Sequence, residues 1–366
     1  MTGRAKTASG SETPENKMAF FESILVTGGA GFIGSNFVRH IAGTHPDCRI
    51  TVLDALTYAG NMENIADLVD NGRIRFIKGN ICDAETARDA MVGAEAVFNF
   101  AAETHVDRSI EEAGSFIQTD VYGTYTLLTL ARERGVRRFV QISTDEVYGS
   151  TEGEGFTETS PLKPGNPYSA SKCGGDLMCQ AFANTYQVPV VVTRSSNNYG
   201  PYQHVEKFIP LFVTNAMEGN NLPLYGDGMH QRDWLHVEDN CRGIETVAVA
   251  GEVGAVYNIA AGHSQPNLRV AELIVEHIGE TSSKIVFIED RKGHDRMYKL
   301  DAARARALGW EPRVSFEDGM KKTIEWYQKN RAWWERVKSG AFREYYQKHY
   351  GERLEKGRPK GHPGKS

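Results

Sequence analysis

Short runs of β-forming residues alternate with amphipathic helical stretches through the first 200 residues of the chain. The strand-like runs are ILVTG (24–28), RITVLD (49–54), RIRFIKG (73–79), AVFNFAA (96–102), RRFVQIST (137–144) and PVVVTRS (189–195). Strands separated by helices in this way are typical of βαβ units, in which each helix leads to the next parallel strand. The pattern therefore predicts an α/β fold with a doubly wound parallel sheet.

The pattern changes after about residue 200. LPLYGDG, AVYNIAAG and KIVFIED are strand-like pieces that lie among loops and two helical stretches, 268–278 and 316–331. We expect a sheet domain over residues 21–200, with sheet contributions from later residues, and a smaller substrate-facing lobe over residues 201–335.

Both ends of the chain are polar and lack hydrophobic periodicity. Residues 1–20 are expected to be a flexible leader, and residues 336–366 a C-terminal helix followed by a polar tail. We expect neither the leader nor residues 352–366 to enter the fold.

Composition excludes several classes of protein. The 366 residues are 40% hydrophobic and 24% charged, which is ordinary for a globular protein. A net charge of -5 argues against general attraction to nucleic acid or to an anionic membrane. No apolar run reaches the about 18 residues of a membrane span, and the N-terminus lacks a signal-peptide pattern. The five cysteines form no CxxC pair and no metal-ligand spacing, so we expect unpaired thiols, no metal and a cytoplasmic location.

A glycine-rich turn follows the first predicted strand. Gly28, Gly31 and Gly34 are spaced by two residues each and lead into the helical stretch SNFVRHIAG. Glycines allow a tight turn and close approach of a pyrophosphate to the helix N-terminus. Asp54, at the end of the second strand, is placed to accept hydrogen bonds from an adenosine ribose and would repel a 2′-phosphate. The motif predicts a Rossmann-type domain that binds NAD rather than NADP.

A second motif carries candidate chemistry. Tyr168 and Lys172 are four residues apart, which places them on one face of a helix. A cationic lysine lowers the pKa of a neighbouring phenol, so Tyr168 could take the proton of a substrate hydroxyl while hydride leaves for the cofactor. Thr144, at the end of the fifth strand, is expected beside them.

With these motifs, the sequence closely resembles the extended short-chain dehydrogenase/reductase family. Within it, the longer motifs AAETHVDRSI (101–110), STDEVYG (143–149), SNNYGPYQ (196–203), GDGMHQRDWLHVEDN (226–240) and GHDR (293–296) resemble those of nucleotide-sugar 4,6-dehydratases. The resemblance covers roughly residues 22–335. The cofactor contacts that it implies are Gly28, Gly31, Phe32, Ile33, Gly34, Asp54, Asn80, Ile81, Ala101, Ala102, Tyr168, Lys172 and Asn197.

Two adjacent carboxylates distinguish dehydration from simpler chemistry. Once a sugar C4 hydroxyl has been oxidised, a base can remove the C5 proton, and the C6 hydroxyl needs an acid to leave as water. The resemblance implies Glu146 as that base and protonated Asp145 as that acid. Because consecutive residues of a strand point to opposite faces, both can reach one sugar only if the chain turns directly after Thr144, and we predict a turn or helix start at 145–148. The alternative is a helix-capping Asp-Glu pair.

The substrate side rests on the resemblance together with residue chemistry. A nucleoside diphosphate suits arginine forks, and Arg232 and Arg296 lie in loop-like segments. The full set of expected substrate contacts is Thr104, His105, Thr144, Asn197, Asn198, Lys207, Arg232, Asn267, His294, Arg296 and Tyr298. The sequence departs from the usual family forms at Asn80, where an Asp is common, and at 203–206 and 291–293, which bears on the choice of nucleotide more than on the reaction.

Several functions remain open at this stage. The first hypothesis is a 4,6-dehydratase acting on dTDP-glucose, followed by one acting on UDP-glucose or an N-acetylated UDP-hexose. A sugar-nucleotide 4-epimerase or decarboxylase is the next alternative, and a catalytically silent dinucleotide-binding scaffold is the last. The resemblance also implies a homodimer joined by helices 117–134 and 168–186, whose apolar residues include Leu127, Leu128, Leu130, Leu177, Met178 and Phe182, although part of each helix must pack on its own sheet.

Overall fold

The computed structural model describes residues 19–104, 106–151, 153–290 and 297–360. The strands in these residues are β1 (Ser23–Thr27), β2 (Arg49–Asp54), β3 (Ile74–Lys78), β4 (Ala96–Asn99), β5 (Arg138–Thr144), β6 (Val190–Ser195), β7 (Asn197–Tyr199), β8 (Leu222–Tyr225), β9 (Gln231–His236), β10 (Val256–Ile259), β11 (Ser264–Pro266), β12 (Ile285–Ile288) and β13 (Arg358–Pro359).

The helices lie between these strands and after them. They are α1 (Phe32–Thr44), α2 (Ala66–Asp70), α3 (Ala84–Ala90), α4 (Val106–Glu111), α5 (Gly114–Phe116), α6 (Thr124–Arg134), α7 (Pro167–Tyr186), α8 (Phe208–Glu218), α9 (Val237–Ala250), α10 (Asn267–Ile278), α11 (Ala303–Ala307), α12 (Phe316–Lys329), α13 (Arg331–Val337), α14 (Ala341–Tyr346) and α15 (Glu352–Lys356). Met62–Asn64 and Asp145–Tyr148 are short 3-10 helices, and Ile117–Gly123 and Gln347–Gly351 are π-helical.

A parallel sheet of seven strands forms the centre of the N-terminal part, in the order β3-β2-β1-β4-β5-β6-β10. All residues of β1 and of β6 are buried. Branched apolar residues such as Val190, Val191 and Val192 suit this position, because helices cover both faces of a parallel sheet. The predicted doubly wound α/β fold is confirmed.

Two hydrophobic clusters lie on the two faces of this sheet. One contains residues of α1 and α9, including Phe37, Val38 and Ile244, and the other contains residues of α3, α6 and α7. Four residues predicted for a subunit interface belong to the second cluster and are buried: Leu127, Leu128, Leu130 and Phe182. These four residues therefore pack on their own sheet, which is the alternative that the sequence left open for part of each helix.

A third hydrophobic cluster forms the core of the C-terminal lobe. It is built around α8, α10 and α12, with β8 and β12 paired in parallel beside them. The chain does not stay in this lobe after residue 200, because α9 packs against α1 and β10 extends the seven-stranded sheet. Segments of the later part of the chain, α9 and β10, therefore belong to the first sheet domain, and a crevice lies between this domain and the C-terminal lobe.

The C-terminal tail enters the fold, contrary to the sequence-based expectation. Residues 352–356 form α15, and β13 pairs antiparallel with β12. The backbone N–H of Lys360 donates to the carbonyl of Ile285 at 2.8 Å. This pairing satisfies backbone groups that the edge of β12 would otherwise expose. Residues 361–366, like leader residues 1–18, lie outside the described residues, whereas Phe20 stacks on His45 with ring centroids 4.1 Å apart.

We expect the C-terminal segment to contribute measurably to stability. Tyr350 is 8% exposed and packs beside the rings of Tyr346 and Tyr225. Tyr350→Ala should lower the free energy of unfolding by about 3 kcal/mol in urea denaturation, because it removes a buried aromatic ring. Glu352→Ala is the matched control, since this exposed residue contacts only Lys356 among the described ion pairs and should cost less than about 1 kcal/mol. Equal effects of the two substitutions would contradict the packing of this segment.

Candidate active site

A cavity of about 320 Å³ lies at the carboxyl ends of the central strands, between the sheet and the C-terminal lobe. The strand order reverses direction between β1 and β4, and ligands of doubly wound sheets bind at that point. The cavity wall includes all thirteen residues predicted to contact the cofactor. It also includes five predicted substrate residues: Thr104, Thr144, Asn197, Asn198 and Lys207.

The glycine turn between β1 and α1 has no room for a side chain at Gly28 or Gly34. Gly28 has φ of +68°, and a Cβ at this residue would lie 2.6 Å from the backbone nitrogen of Ala101. A Cβ at Gly34 would lie 2.2 Å from the carbonyl oxygen of Gly28. Because α1 begins directly after this turn, its unpaired N–H groups face the cavity and form a site suited to an anion such as a pyrophosphate.

Asp54 braces this turn as well as lining the cavity. Its carboxylate accepts hydrogen bonds from the N–H of Ala30 at 2.9 Å and of Leu56 at 2.8 Å. Burial raises the pKa of Asp54, whereas these two backbone hydrogen bonds lower it. A carboxylate has about four acceptor sites, so two remain for ribose hydroxyls. The bracing role was not predicted from the sequence.

Asn80 also has a local partner. Its Oδ1 accepts a hydrogen bond from the N–H of Cys82 at 2.9 Å, which holds the turn after β3. The amide nitrogen of the side chain and the second lone pair of Oδ1 remain available to a ligand. Asn80 can therefore still accept a hydrogen bond, as an aspartate would, and can also donate one.

Tyr168 and Lys172 lie in the first turns of α7. Asn166 caps this helix through a reciprocal capping box with Ser169, and Pro167 occupies the first helical position. Lys172 is 5% exposed, and its Nζ donates to the carbonyl of Ile142 at 2.8 Å. These contacts fix the position of both side chains at the end of β5.

The phenol of Tyr168 is protonated in this environment. Burial holds its pKa well above the usual range, and the charges of Glu146, Asp120 and Asp145 raise the pKa further, while a hydrogen bond with Thr144 lowers it. A cationic group in the cavity would act in the opposite direction. Tyr168 can therefore serve as a proton acceptor only when positive charge is brought next to it.

The chain turns directly after Thr144, as predicted. Asp145–Tyr148 is a 3-10 helix, and Thr144 caps it by accepting a hydrogen bond from the N–H of Glu146 at 3.2 Å. Thr144 Oγ1 also lies 3.1 Å from Asp145 Oδ1. The turn places Asp145 and Glu146 in the wall of the same cavity as Tyr168.

Asp145 is the more deeply buried of the two carboxyls and is 2% exposed. Burial, followed by the charge of Glu146, raises its pKa to about 8. Within the described residues, Asp145 Oδ2 has no hydrogen-bond partner. Asp145 is therefore a neutral acid at neutral pH and holds a proton that it can donate into the cavity.

The predicted substrate residues fall into three groups. Lys207 Nζ donates to the carbonyl of Thr104 at 2.6 Å, so these two close one end of the cavity beside Asn197 and Asn198. Three others lie in the C-terminal lobe, outside that wall: Arg232, Asn267 and Tyr298. The Arg232 guanidinium lies 4.6 Å from the ring centroid of Tyr298, and Asn267 Oδ1 has no partner among the described residues. His105, His294 and Arg296 lie outside the described residues.

Asp120, in the π-helical segment beside α7, was not predicted from the sequence. It is 1% exposed and accepts hydrogen bonds from Ser171 Oγ at 2.6 Å and from the N–H of Glu103 at 3.3 Å. Burial raises its pKa to about 6, and the nearby Lys172 lowers it. A signal was present, because Asp120 occupies an apolar position four residues after buried Phe116, where a carboxylate is unusual.

Sequence comparisons agree with this geometry. A family model described as GDP-mannose 4,6 dehydratase matches residues 25–323. The chain belongs to this family. A dTDP-glucose 4,6-dehydratase of Streptomyces niveus is 50% identical over 321 residues, which are 86% of this chain and 96% of the relative.

Solved structures show the same architecture. The dTDP-glucose 4,6-dehydratase DesIV of Streptomyces venezuelae, crystallised with NAD and dTDP, has a TM-score of 0.82 and 49% identity, covering 86% of this chain and 99% of that one. A UDP-glucose 4-epimerase of Thermotoga maritima, crystallised with UDP-glucose, has a TM-score of 0.79 but only 31% identity, covering 84% and 99%. The fold is thus common to both enzyme types, and the sequence is closer to the dehydratase.

The raised pKa of Asp145 predicts a pH-dependent cost to stability. The native state keeps the proton up to about pH 8, whereas an unfolded aspartate releases it near pH 4, so native stability falls as the pH rises through this range. Asp145→Asn should therefore be more stable than the unsubstituted protein at neutral pH. The difference in the free energy of unfolding should grow from about pH 5 to about pH 8, by up to about 1.4 kcal/mol per pH unit. Urea unfolding across this range measures the difference. A difference that is constant with pH would contradict the assignment of a neutral carboxyl.

Proposed function

We propose that this protein is an NAD-dependent lyase that converts dTDP-glucose to the 4-keto-6-deoxy sugar nucleotide. The observation that carries the proposal is the meeting of two chemistries in one cavity wall. Tyr168 and Lys172 are suited to take the proton of a hydroxyl whose hydride passes to NAD, and the turn after β5 adds a neutral carboxylic acid and a second carboxyl. Relatives about 50% identical over most of the chain are dTDP-glucose 4,6-dehydratases.

The residues of the cavity fit NAD. The glycine turn leaves space for a pyrophosphate at the N-terminus of α1, and Asp54 is a buried acceptor for ribose hydroxyls beside it. Relatives with 45–49% identity have been crystallised with NAD bound. NAD held there would supply a hydride acceptor for C4 and the same hydride for C6, so that no external oxidant would be needed.

The protein's own residues move the protons. Tyr168 takes the proton of the C4 hydroxyl once the positive charge of the bound cofactor has lowered the pKa of its phenol. Glu146 removes the C5 proton, which the adjacent C4 ketone makes acidic. Asp145, neutral because it is buried, protonates the C6 hydroxyl so that it leaves as water. When the hydride is added to C6, Glu146 returns its proton to C5, which gives the 4-keto-6-deoxy sugar.

The substrate's diphosphate and base would lie toward the C-terminal lobe. We propose Arg232, Asn267 and Tyr298 as contacts there, because a buried guanidinium, an amide oxygen without a partner among the described residues and an aromatic ring suit a diphosphate and a nucleoside. UDP-glucose or an N-acetylated UDP-hexose is the next candidate substrate. A 4-epimerase does not require an acid for C6, so Asp145 makes that activity the weaker alternative.

Mass spectrometry of parallel incubations tests the reaction and the substrate together. Purified protein should remove one water from dTDP-glucose without added oxidant, and should act poorly on UDP-glucose and UDP-N-acetylglucosamine. Tyr168→Phe should abolish the mass loss, because the hydroxyl proton then has no acceptor. An unchanged mass with an inverted sugar stereocentre would establish an epimerase and refute the roles of Asp145 and Glu146.

We also propose a homodimer. The segment 117–134 and α7 pack side by side and expose large hydrophobic side chains, 42–58% accessible: Ile117, Tyr122, Tyr125, Leu177 and Tyr186. Exposed apolar side chains on two neighbouring helical segments are typical of an interface. Only Leu177 of these five was named from the sequence.

All five cysteines are unpaired thiols, which supports the proposal that the protein works in the cytoplasm.

A charge placed among the exposed hydrophobic side chains of α7 should separate the subunits. We expect sedimentation or light scattering to give twice the chain mass of 40.6 kDa for the unsubstituted protein and a single chain mass for Leu177→Glu. Val253→Glu is the matched control, because Val253 is also exposed, at 56%, but lies outside both helices. A monomeric unsubstituted protein, or an equal effect of the two substitutions, would refute this interface.

Within the described residues, no helix has the length and the apolar character to cross a bilayer.

A further inference from the structure

A buried ion pair lies directly behind the catalytic residues and touches neither the cavity nor solvent. Arg194 on β6 is 1% exposed, and its Nε donates to Oδ2 of Asp176 on α7 at 2.9 Å. The side chains of this pair are 2% and 0% accessible. Neither residue lines the cavity, so the proposed chemistry does not use them directly.

Arg194 connects two parts of the site. Its Nη1 donates to the hydroxyl of Tyr148 at 2.9 Å, and Tyr148 is the last residue of the 3-10 turn that carries Asp145 and Glu146. Asp176 lies one helical turn after Lys172 and also accepts from Ser143 Oγ at 3.0 Å. One guanidinium thus links the helix that carries Tyr168 with the turn that carries the two carboxyls.

The far side of Tyr148 is anchored as well. Its hydroxyl donates to Asn258 Oδ1 on β10 at 2.9 Å. Asn258 Nδ2 in turn donates to the carbonyls of Phe156 at 2.9 Å and Asp301 at 3.1 Å. The end of the 3-10 turn is therefore fixed to three separate chain segments through a single phenol.

Stability alone is a weak explanation for this arrangement. A buried ion pair rarely stabilises a fold more than apolar residues of similar size would, because both charges lose their hydration. Here the net free energy of burying the pair is less favourable still, since Arg194 Nη2 and Asp176 Oδ1 have no hydrogen-bond partner in the described part of the chain. What the pair does provide is directional geometry, because a guanidinium fork fixes the relative positions of its two partners.

We propose that Arg194 is a positioning residue that connects Tyr148 on one side with Asp176 on the other. It thereby aligns the turn that carries Asp145 and Glu146 with the part of α7 that carries Tyr168 and Lys172. This inference rests on the proposed dehydratase function. Once Tyr168 has taken the C4 hydroxyl proton and the hydride has passed to NAD, the sugar must present C5 and C6 to Glu146 and Asp145. A shift of about 1 Å between these groups can slow a step by about 100-fold. The contacts of Arg194 hold constant the distance between Tyr168 and the carboxyls of Asp145 and Glu146.

Tyr148→Phe tests the link with the smallest change. It keeps the buried ring but removes the hydroxyl that joins Arg194 and Asn258 to the turn. Elimination should then slow while oxidation continues, so NADH absorbance should accumulate on the enzyme during a single turnover of dTDP-glucose. The variant's kcat should fall by about 10-fold or more with little change in KM. Tyr257→Phe is the matched control, because it removes another buried hydroxyl, bonded to the N–H of Glu252, from the same sheet. It should leave the relative rates of oxidation and elimination unchanged.

Asp176→Asn tests the link between Arg194 and α7. It keeps a side chain of the same shape but removes the charge that pairs with Arg194 behind α7. We expect it to slow the oxidation step itself, so that NADH does not accumulate although turnover falls. Arg194→Lys keeps the positive charge but not the guanidinium fork. We therefore expect it to lack the normal ratio of oxidation rate to elimination rate.

The outcomes separate this inference from the proposed function. If the unsubstituted protein does not dehydrate any of the three sugar nucleotides, the proposed function fails. If it does dehydrate one, but Tyr148→Phe slows oxidation and elimination equally, or slows neither, the positioning role of Arg194 is overturned. Loss of folded protein in Tyr148→Phe, judged by its melting temperature against Tyr257→Phe, would also contradict a role limited to positioning.

Discussion

Two consecutive carboxyl groups must face one cavity, and this constraint organises the surrounding structure. A strand alternates the direction of its side chains, so Asp145 and Glu146 can converge only because β5 ends at Thr144 and a 3-10 turn begins. The turn depends on Thr144 as its cap and on Tyr148 as its anchor. The sheet then supplies the rest, since β6 and α7 flank the same edge.

The site carries an electrostatic cost that the fold has to offset. Asp145, Asp120 and Asp176 are all almost fully buried within a short distance of Tyr168 and Lys172. Burial raises the pKa of each of these three carboxyls. Such a cluster would not persist without the two hydrophobic clusters that pack the sheet on both faces. Function here depends on surplus stability from elsewhere in the chain.

The two lobes form different walls of the crevice. The glycine turn at the N-terminus of α1 holds no side chain that could fill the cavity, which leaves that space for a dinucleotide. The second lobe brings Arg232 near the same carboxyls, because the charge of Arg232 influences the pKa of Asp145. Since α9 and β10 return to the first sheet between segments of this lobe, the two walls of the crevice are tied together by several crossings of the chain.

Local features of the sequence determined the fold class, the glycine turn, the Tyr168–Lys172 pair and the turn after Thr144. Each of these depends on residues within a few positions of one another, and periodicity, spacing and residue chemistry record such short-range requirements directly. Only the tertiary structure decided the partners of Arg194, the burial of Asp120, the pairing of β13 with the edge of β12, and which residues of α6 face the core rather than solvent. Tyr148 and Asn258 are 110 residues apart. Contacts of that kind form because the sheet brings distant strands together, and no pattern along the chain specifies which distant residue will be the partner.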